Sequence, residues 1–225
     1  MYWTEETEQE HKAEVPEDVV DLVYKIECAC VPNDHAWELH RALLELMPWL
    51  ADDPRSGIHL IHGAESMNGW NRPDEPDALI HLSKRSKMKL RVPAERVEDA
   101  QAIAGNAIEI AGNYLKIKSA SIKPFSFHDV QFARHVIEDA GMTEDDFLEY
   151  AVIELKKLNI RPKKLLSGKS QVFAVPDGDI TTRSLLVADL EQTEAIRLQE
   201  EGIGDGRLLG CGLFVPYKGI KAVKD

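Results

Sequence analysis

The chain has 225 residues, of which 44% are hydrophobic, and a formal net charge of −12 at pH 7. This length and apolar content predict two small domains, each with a core of its own. No apolar run approaches the roughly 20 residues that cross a bilayer, and the N-terminal residues are acidic where a signal peptide is basic and then apolar, so we expect a cytoplasmic protein without a membrane partner.

The first half of the chain predicts a β-strand, a helix, three strands, a second helix and a hairpin. In order, these are Val19–Ala29, His35–Leu50 capped by Asn33 or Asp34, Gly57–His62, the paired strands Ala78–Ser83 and Met88–Val92, a helix over 94–104, and a hairpin of 107–111 and 114–118 around Gly112-Asn113.

The second half repeats this order. Its predicted elements are a strand at Val130–Ile137, a helix capped by Thr143, a hairpin of Gln171–Val175 and Ile180–Val187, a helix that begins with a capping box at Asp189–Gln192 and ends at Gly202, and a strand at Leu213–Tyr217.

Two βαββαβ units match the ferredoxin-like, RRM-like plan, in which helices cover one face of an antiparallel sheet and the other face is free to bind. We therefore predict an α+β protein with two tandem ferredoxin-like domains. The predicted divisions are an acidic N-terminal tail (1–17), an N-terminal domain (18–120) and a C-terminal domain (121–225).

A glycine-rich loop precedes the last strand, with five glycines between Gly202 and Gly212. Glycine adopts positive φ without a Cβ penalty, and successive unshielded N–H groups attract anions, which favours a phosphodiester chain as the partner. A mobile turn before a strand is the alternative. No Walker lysine follows these glycines, which excludes nucleotide hydrolysis and dinucleotide binding.

The charge is distributed unevenly. Residues 1–54 hold fourteen acidic and three basic side chains, whereas the rest is almost neutral and contains basic runs at 84–91 and 156–169. These runs favour a positively charged groove for nucleic acid, although basic runs are commonly just solvated surface.

Cysteine and histidine spacing predicts no metal site and no cofactor. Cys28, Cys30 and Cys211 form no disulfide framework and lack a second pair for zinc, so we interpret them as reduced packing residues. His59 and His62 are three apart, a spacing that places them on opposite faces of a strand.

Several motifs resemble those of the CRISPR-associated endoribonucleases that process repeat RNA, in particular their Myxan-subtype branch. The resemblance covers residues 18–220 and rests on Asp34-His35-Ala36, Ile61-His62-Gly63-Ala64, Asn68-Gly69-Trp70, Thr182-Arg183-Ser184-Leu185, the Gly-Ile-Gly at 202–204 and the segment from Leu209 to Phe214. It implies cleavage of CRISPR repeat RNA without a metal and retention of the product, the crRNA, by a complex with other subunits of a CRISPR effector.

Metal-free RNA cleavage needs a base near the attacking 2′-hydroxyl, and histidine suits this role. His35 is the first candidate, because a helix N-terminus keeps imidazole neutral. The resemblance implies a histidine at or within the first helix, which makes His40 the second candidate. Tyr24 and Lys25 are weaker candidates for contacts to the transition state.

The loop after His62 offers Ser66 and Asn68 as hydrogen-bonding groups and Trp70 as a base-stacking group. For binding of the repeat RNA we predict the loop residues and the basic residues of both halves: Gly204, Gly206, Arg207, Gly210, Gly212, Lys84, Arg85, Lys87, Lys163, Lys164, Lys169 and Arg183.

Two other functions fit the sequence. One is a non-catalytic RNA-binding subunit of a CRISPR ribonucleoprotein. The other is an assembly subunit whose acidic first 54 residues dock basic partners.

Overall fold

The computed structural model describes residues 18–63 and 78–217, which form eleven β-strands and four α-helices. The first half contains β1 (Val19–Glu27), β2 (Cys30–Pro32), α1 (Ala36–Leu46), β3 (Gly57–His59), β4 (Leu79–His81), β5 (Lys87–Pro93), α2 (Val97–Gln101), β6 (Ala107–Ile110) and β7 (Asn113–Lys123). The second half contains β8 (Gln131–Ile137), α3 (Glu144–Lys157), β9 (Lys164–Phe173), β10 (Ile180–Ala188), α4 (Gln192–Glu201) and β11 (Phe214–Pro216). Of the helices in these ranges, none has the length and apolar character that a membrane crossing requires.

The first half folds around an antiparallel sheet with the strand order β3-β5-β1-β7-β6. Alternation along β1 determines the covered face, since Leu22, Tyr24 and Ile26 are buried whereas Lys25 and Glu27 are exposed. The buried side chains share one core with the inner residues of α1, such as Leu39 and Leu43. The opposite face of the sheet carries the polar residues.

The second half has an antiparallel sheet with the order β11-β8-β10-β9. Its own core joins Leu185 and Val187 of β10 to Phe147 of α3 and Leu198 of α4. Thr143 begins α3 with the predicted cap, because its hydroxyl accepts the Asp146 N–H and the Asp146 carboxylate accepts the Thr143 N–H. The chain is thus a mixed α/β protein with antiparallel sheets in both halves.

Two predicted strand features are wrong. β4 pairs with β2, a three-residue strand that was not predicted, and not with β5. β9 begins at Lys164, well before the predicted start at Gln171. The part that was not predicted contains Lys164, Ser167, Lys169 and Ser170. These side chains are tolerated because β9 is an edge strand of its sheet.

Three predicted boundaries also differ from the structure. α1 ends at Leu46, before Pro48, because a proline disfavours helical conformation in the residue that precedes it. No side chain caps α1, and the Asp34 carboxylate instead accepts the Ala174 N–H at 2.8 Å, from the second half. β7 continues to Lys123, so the predicted domain boundary after residue 120 falls within a strand. The predicted tail, 1–17, lies outside the described residues.

The two halves are joined through Arg91, the largest fully buried side chain. Its guanidinium donates to the Asp21 carboxylate of β1 at 2.9 Å and 3.3 Å. It also donates to the backbone carbonyls of Gln199 in α4 and Phe214 in β11, the latter at 3.1 Å. Burial alone would raise the pKa of Asp21, but the charges of Arg91 and His59 hold it well below the ordinary value.

We expect Arg91→Met to lower the free energy of unfolding by about 3–5 kcal/mol, because it leaves a buried carboxylate and two buried carbonyls without this donor. Urea denaturation measures the change. Arg41→Met is the matched control, since Arg41 forms exposed ion pairs with Glu38 and Glu45 and should cost about 1 kcal/mol or less. Equal losses in both variants would contradict the assignment.

Candidate functional site

The glycine-rich loop, residues 202–212, packs against the first half of the chain. Arg207–Leu209 form one 3₁₀ turn between Gly206 and Gly210, both in the left-handed conformation. At Gly210, φ is +85° and an added Cβ would lie 2.7 Å from the Leu60 side chain. Glycine is therefore required here by a close approach within the protein. The Gly212 N–H donates to the His135 carbonyl at 2.7 Å, which fixes the other end of the loop to β8.

Arg207 has a different role from the predicted one. Its guanidinium donates only to backbone carbonyls: Ser56 at 3.3 Å, Arg55 at 2.9 Å, Glu200 at 3.0 Å and Glu201. Burial lowers its pKa to about 10. In this conformation the side chain joins the C-terminal end of α4 to the segment before β3 and is not available to a phosphate, which argues against the predicted RNA contact.

His35 is buried at the N-terminus of α1, and both of its ring nitrogens bond to the backbone. Nε2 accepts the Ile61 N–H at 3.0 Å, so Nδ1 carries the hydrogen and donates to the Pro32 carbonyl at 2.7 Å. The ring is thus neutral, as its place at the start of the helix predicts. These are the contacts of a residue that fixes the chain around α1, and the catalytic role of His35 stays a prediction.

Tyr24 lies in the core of the first half and is fully buried. Its hydroxyl donates to the Ala100 carbonyl of α2 at 2.7 Å, and burial raises the pKa above the ordinary value. Tyr24 therefore lies on the covered face of the sheet, and its hydroxyl is used within the core. The predicted catalytic contact is incompatible with this geometry. Lys25, the next residue, is exposed on the open face.

His40 lies on α1 where the helix faces the glycine-rich loop. Its ring is half-buried, 5.3 Å from the Trp37 ring between centroids, and interacts with the backbone carbonyl of Leu208 in the loop. Burial lowers its pKa, which the Leu208 carbonyl partly offsets, so the ring is neutral near pH 7. Nδ1 is buried without a hydrogen-bond partner. A buried unsatisfied nitrogen beside a loop of this kind marks a candidate functional group.

Two further histidines lie near the junction of the halves. His59 faces Asp21, with 3.6 Å between Nε2 and Oδ1, whereas His62 lies after the end of β3, near Arg134 and His135. Burial lowers the pKa of both rings. Within 18–63 and 78–217, no group of three or more His, Cys, Asp or Glu side chains is placed to hold a metal ion. Ser66, Asn68 and Trp70 lie outside the described residues.

The predicted basic residues separate into two groups. Arg183 is committed to the protein, since it donates to Glu138 at 2.7 Å and to the Gly168 carbonyl at 3.3 Å. Lys164 pairs with Asp189 at 2.9 Å but keeps an exposed side chain. The others lie at the surface, half-buried in one case and otherwise exposed: Lys84, Arg85, Lys87, Lys163 and Lys169. The structure does not bring residues 84–87 and 163–169 onto one sheet, as they belong to different halves.

A family model described as Cas6 Crispr matches residues 20–219. The chain belongs to the Cas6 family. It is 28% identical over 197 residues to the CRISPR-associated endonuclease Cas6 of Myxococcus xanthus (strain DK1622), which covers 88% of this chain and 81% of that protein. The match to this relative agrees with the family resemblance of the sequence motifs.

Solved structures support the same fold. A Cas6-related protein from Pyrococcus furiosus has a TM-score of 0.61 at 15% identity, over 87% of this chain and 97% of that one. Thermus thermophilus Cse3, bound to an RNA representing a pre-cleavage complex, has a TM-score of 0.50 at 12% identity, over 88% and 98%. At such identities the likeness concerns the fold alone.

We expect Arg207→Ala to lower the free energy of unfolding by about 2–4 kcal/mol, because four carbonyls lose a charged donor inside the protein. Urea denaturation measures this loss, and Arg85→Ala, at an exposed position, is the control. A stable Arg207→Ala protein with weakened RNA binding would support the prediction that Arg207 contacts RNA.

Stability should fall as the pH is lowered from 7.5 to 5.5. The pKa of His40 is lowered in the folded state, so below about pH 6.5 the unfolded chain binds more protons and the folded state loses stability, by at most about 1.4 kcal/mol per pH unit for each such ring. His59 and His62 contribute with the same sign. Urea denaturation at both pH values measures the loss. His40→Gln should make it smaller, and an unchanged pH dependence would contradict the burial of a neutral ring.

Proposed function

We propose that this protein is a metal-independent endoribonuclease that binds and cleaves CRISPR repeat RNA and generates mature crRNA. Membership of the Cas6 family over residues 20–219 carries this proposal. The relative from Myxococcus xanthus is named an endonuclease, and the Thermus thermophilus neighbour was solved with RNA.

The proposed reaction is an internal transesterification. The 2′-oxygen of the ribose before the cut forms a bond to the adjacent phosphorus, and the bond from phosphorus to the 5′-oxygen of the next nucleotide breaks. The products are a 2′,3′-cyclic phosphate and a 5′-hydroxyl. A base removes the proton of the 2′-hydroxyl, and an acid supplies a proton to the leaving 5′-oxygen.

Among the described histidines we propose His40 as the base. It is neutral near pH 7, which is the state a base requires, and it lies between α1 and the glycine-rich loop with one ring nitrogen unpartnered. His35, in contrast, already uses both nitrogens for backbone contacts. Because Nδ1 of His40 is covered, the side chains over it must shift when RNA binds, as catalytic hydrogen bonds often form only in the substrate complex.

The finer architecture belongs to the same proposal. We infer that each half is a ferredoxin-like domain, residues 18–123 and 124–217. The second half has a β-α-β-β-α-β order and a sheet in the order β11-β8-β10-β9. The first half contains the same order in β1, α1, β3, β5, α2 and β7, with β2, β4 and β6 as additional strands. Under this proposal the two domains hold the RNA between surface lysines and the α1 side of the glycine-rich loop, and the product remains with other subunits of a CRISPR effector complex.

A non-catalytic RNA-binding subunit is the second candidate. One observation favours it: Tyr24, His35 and Arg207, all predicted to act on RNA, are engaged inside the protein.

We expect His40→Ala to abolish cleavage of repeat RNA while binding is retained, because binding does not require the base. Single-turnover cleavage of labelled repeat RNA and filter binding measure the two effects. His35→Asn should instead lower stability first, since Asn cannot reach both the Pro32 carbonyl and the Ile61 N–H.

Cleavage should persist in EDTA, and a 2′-deoxy nucleotide before the cut should block cleavage. If wild-type protein binds the repeat and never cuts it, the second candidate function is correct. If His40→Ala cleaves at the wild-type rate while folded His35→Asn does not, His35 is the base. Loss of cleavage in EDTA would contradict the metal-independent mechanism.

A further inference from the structure

Six lysines lie on the face of the first sheet that α1 does not cover. Strand alternation and the register between strands place them together. In β1, Lys25 is on the opposite face from the buried Tyr24 and Ile26, and it lies directly across from Lys87 of β5. We call the set the lysine face, and its members are Lys25, Lys87, Lys89, Lys116, Lys118 and Lys123.

The pairing of β7 with β1 shows which face of the sheet carries the lysines of β7. Lys116 lies across from Glu27, and Lys123 across from Asp21, so both share the face of Lys25. Leu115 and Ile117, which alternate with Lys116 and Lys118, are buried in the core. The lysine face therefore crosses three adjacent strands, β5, β1 and β7, and it lies on the other side of the sheet from the proposed base on α1.

The carboxylates on this face are already engaged. Asp21 pairs with Arg91, and Glu27 pairs with Lys118 at 2.5 Å. In the described part of the chain, no carboxylate lies within ion-pair distance of Lys25 or Lys87. Like charges directly opposite each other on neighbouring strands are destabilising, so this pair lowers the stability of the isolated protein.

We propose that the lysine face binds the phosphodiester backbone of the RNA, at a site separate from the proposed base His40, where α1 contacts the glycine-rich loop. This inference rests on the proposed function and adds to it a second surface that contacts the RNA. Lysine acts as a point charge toward phosphate and needs no base-specific geometry. The exposed Lys84 and Arg85, in the turn before β5, extend the same surface at the Lys87 end.

The strands argue for a polyanion over an acidic peptide. β5, β1 and β7 are interior strands whose backbone groups already pair with their neighbours, so a peptide strand has no free edge to join here. The second half covers this face at Asp21 and Arg91, whereas Lys25 is exposed toward its other end, and phosphates along a chain match the pattern of lysines there. One RNA that contacts both sites must pass around an edge of the first sheet.

The test compares Lys25→Gln/Lys87→Gln with Lys156→Gln/Lys157→Gln. Both doubles remove two positive charges, and Lys156 and Lys157 are exposed on α3, in the other half. Binding of repeat RNA with a 2′-deoxy nucleotide before the cut is measured from 0.1 M to 1 M salt, and cleavage of unmodified RNA by wild type is measured in parallel.

We expect the Lys25/Lys87 double to lower the slope of log K against log salt by about 1.4, or about 0.7 for each phosphate that is no longer neutralised. Its affinity should be roughly 25-fold weaker at 0.1 M salt and approach the wild-type value near 1 M. The same double should unfold at higher temperature than wild type without RNA, since it removes the opposed charges. The α3 double should change the slope and the affinity less than the Lys25/Lys87 double does, since Lys157 already pairs with Glu154.

Three outcomes would overturn the proposal. If the Lys25/Lys87 double binds RNA as wild type does, and wild type cleaves normally, the lysine face does not bind RNA and the proposed function is unaffected. Equal losses in both doubles show a general charge effect. If wild type neither binds nor cleaves the repeat, the proposed function is wrong as well. If wild type, but not the Lys25/Lys87 double, then captures an acidic protein, that protein is the partner of the lysine face.

Discussion

The arrangement of the two halves depends on two guanidinium groups, that of the fully buried Arg91 and that of the half-buried Arg207. Burying a charge is costly unless every donor finds a partner. Here most of the partners are backbone carbonyls: Arg91 reaches Gln199 and Phe214 in addition to Asp21, and Arg207 donates to four carbonyls. Four of these carbonyls belong to residues 199–201 and 214, around the C-terminal end of α4 and in β11, and helix ends of this polarity attract cations.

This junction determines where the glycine-rich loop can lie. Because Arg207 fixes the end of α4 to the segment before β3, the turn that follows is held against α1 and Leu60. Cys211, the residue after Gly210, is fully buried and belongs to the core of the first half, where burial raises the pKa of its thiol to about 12. Gly210 thus serves packing between the halves, and the proposed catalytic surface is the outer side of this contact, at His40.

Some of this arrangement could be predicted from the sequence, and some could not. Local signals located most elements: the Thr143 cap, the Gly112-Asn113 hairpin and the strands predicted at Val130–Ile137 and Ile180–Val187 all correspond to observed structure. Pairing between distant strands was less accessible, since β2 is three residues long and its partner β4 lies beyond the undescribed segment 64–77.

Predicted side-chain roles failed where they depended on burial. Arg207 and Tyr24 have residue types that suit RNA contacts, but a sequence does not show that carbonyls from another segment surround the guanidinium or that Ala100 accepts the phenol hydrogen bond. The lysine face did have a signal in the sequence. Lys87, Lys89 and Arg91 alternate with Met88, Leu90 and Val92, and Lys116 and Lys118 alternate with Leu115 and Ile117. Reading both runs as strands of one sheet would have placed these cations on one face.

The alternation of lysines with apolar residues along β5 and β7 explains how a chain with a net charge of −12 can bind RNA. Net charge sums over the whole surface, whereas phosphate binding depends on charges within about a Debye length, near 8–10 Å at physiological salt. A strand period of two collects every second residue on one side of a sheet, and adjacent strands are separated by roughly 4.8 Å, so directly opposed lysines such as Lys25 and Lys87 lie within one screening length of each other. Acidic residues on other elements are partly screened from them. The sign of the local field at the open face is therefore set by strand register, and the overall acidity has little influence on it.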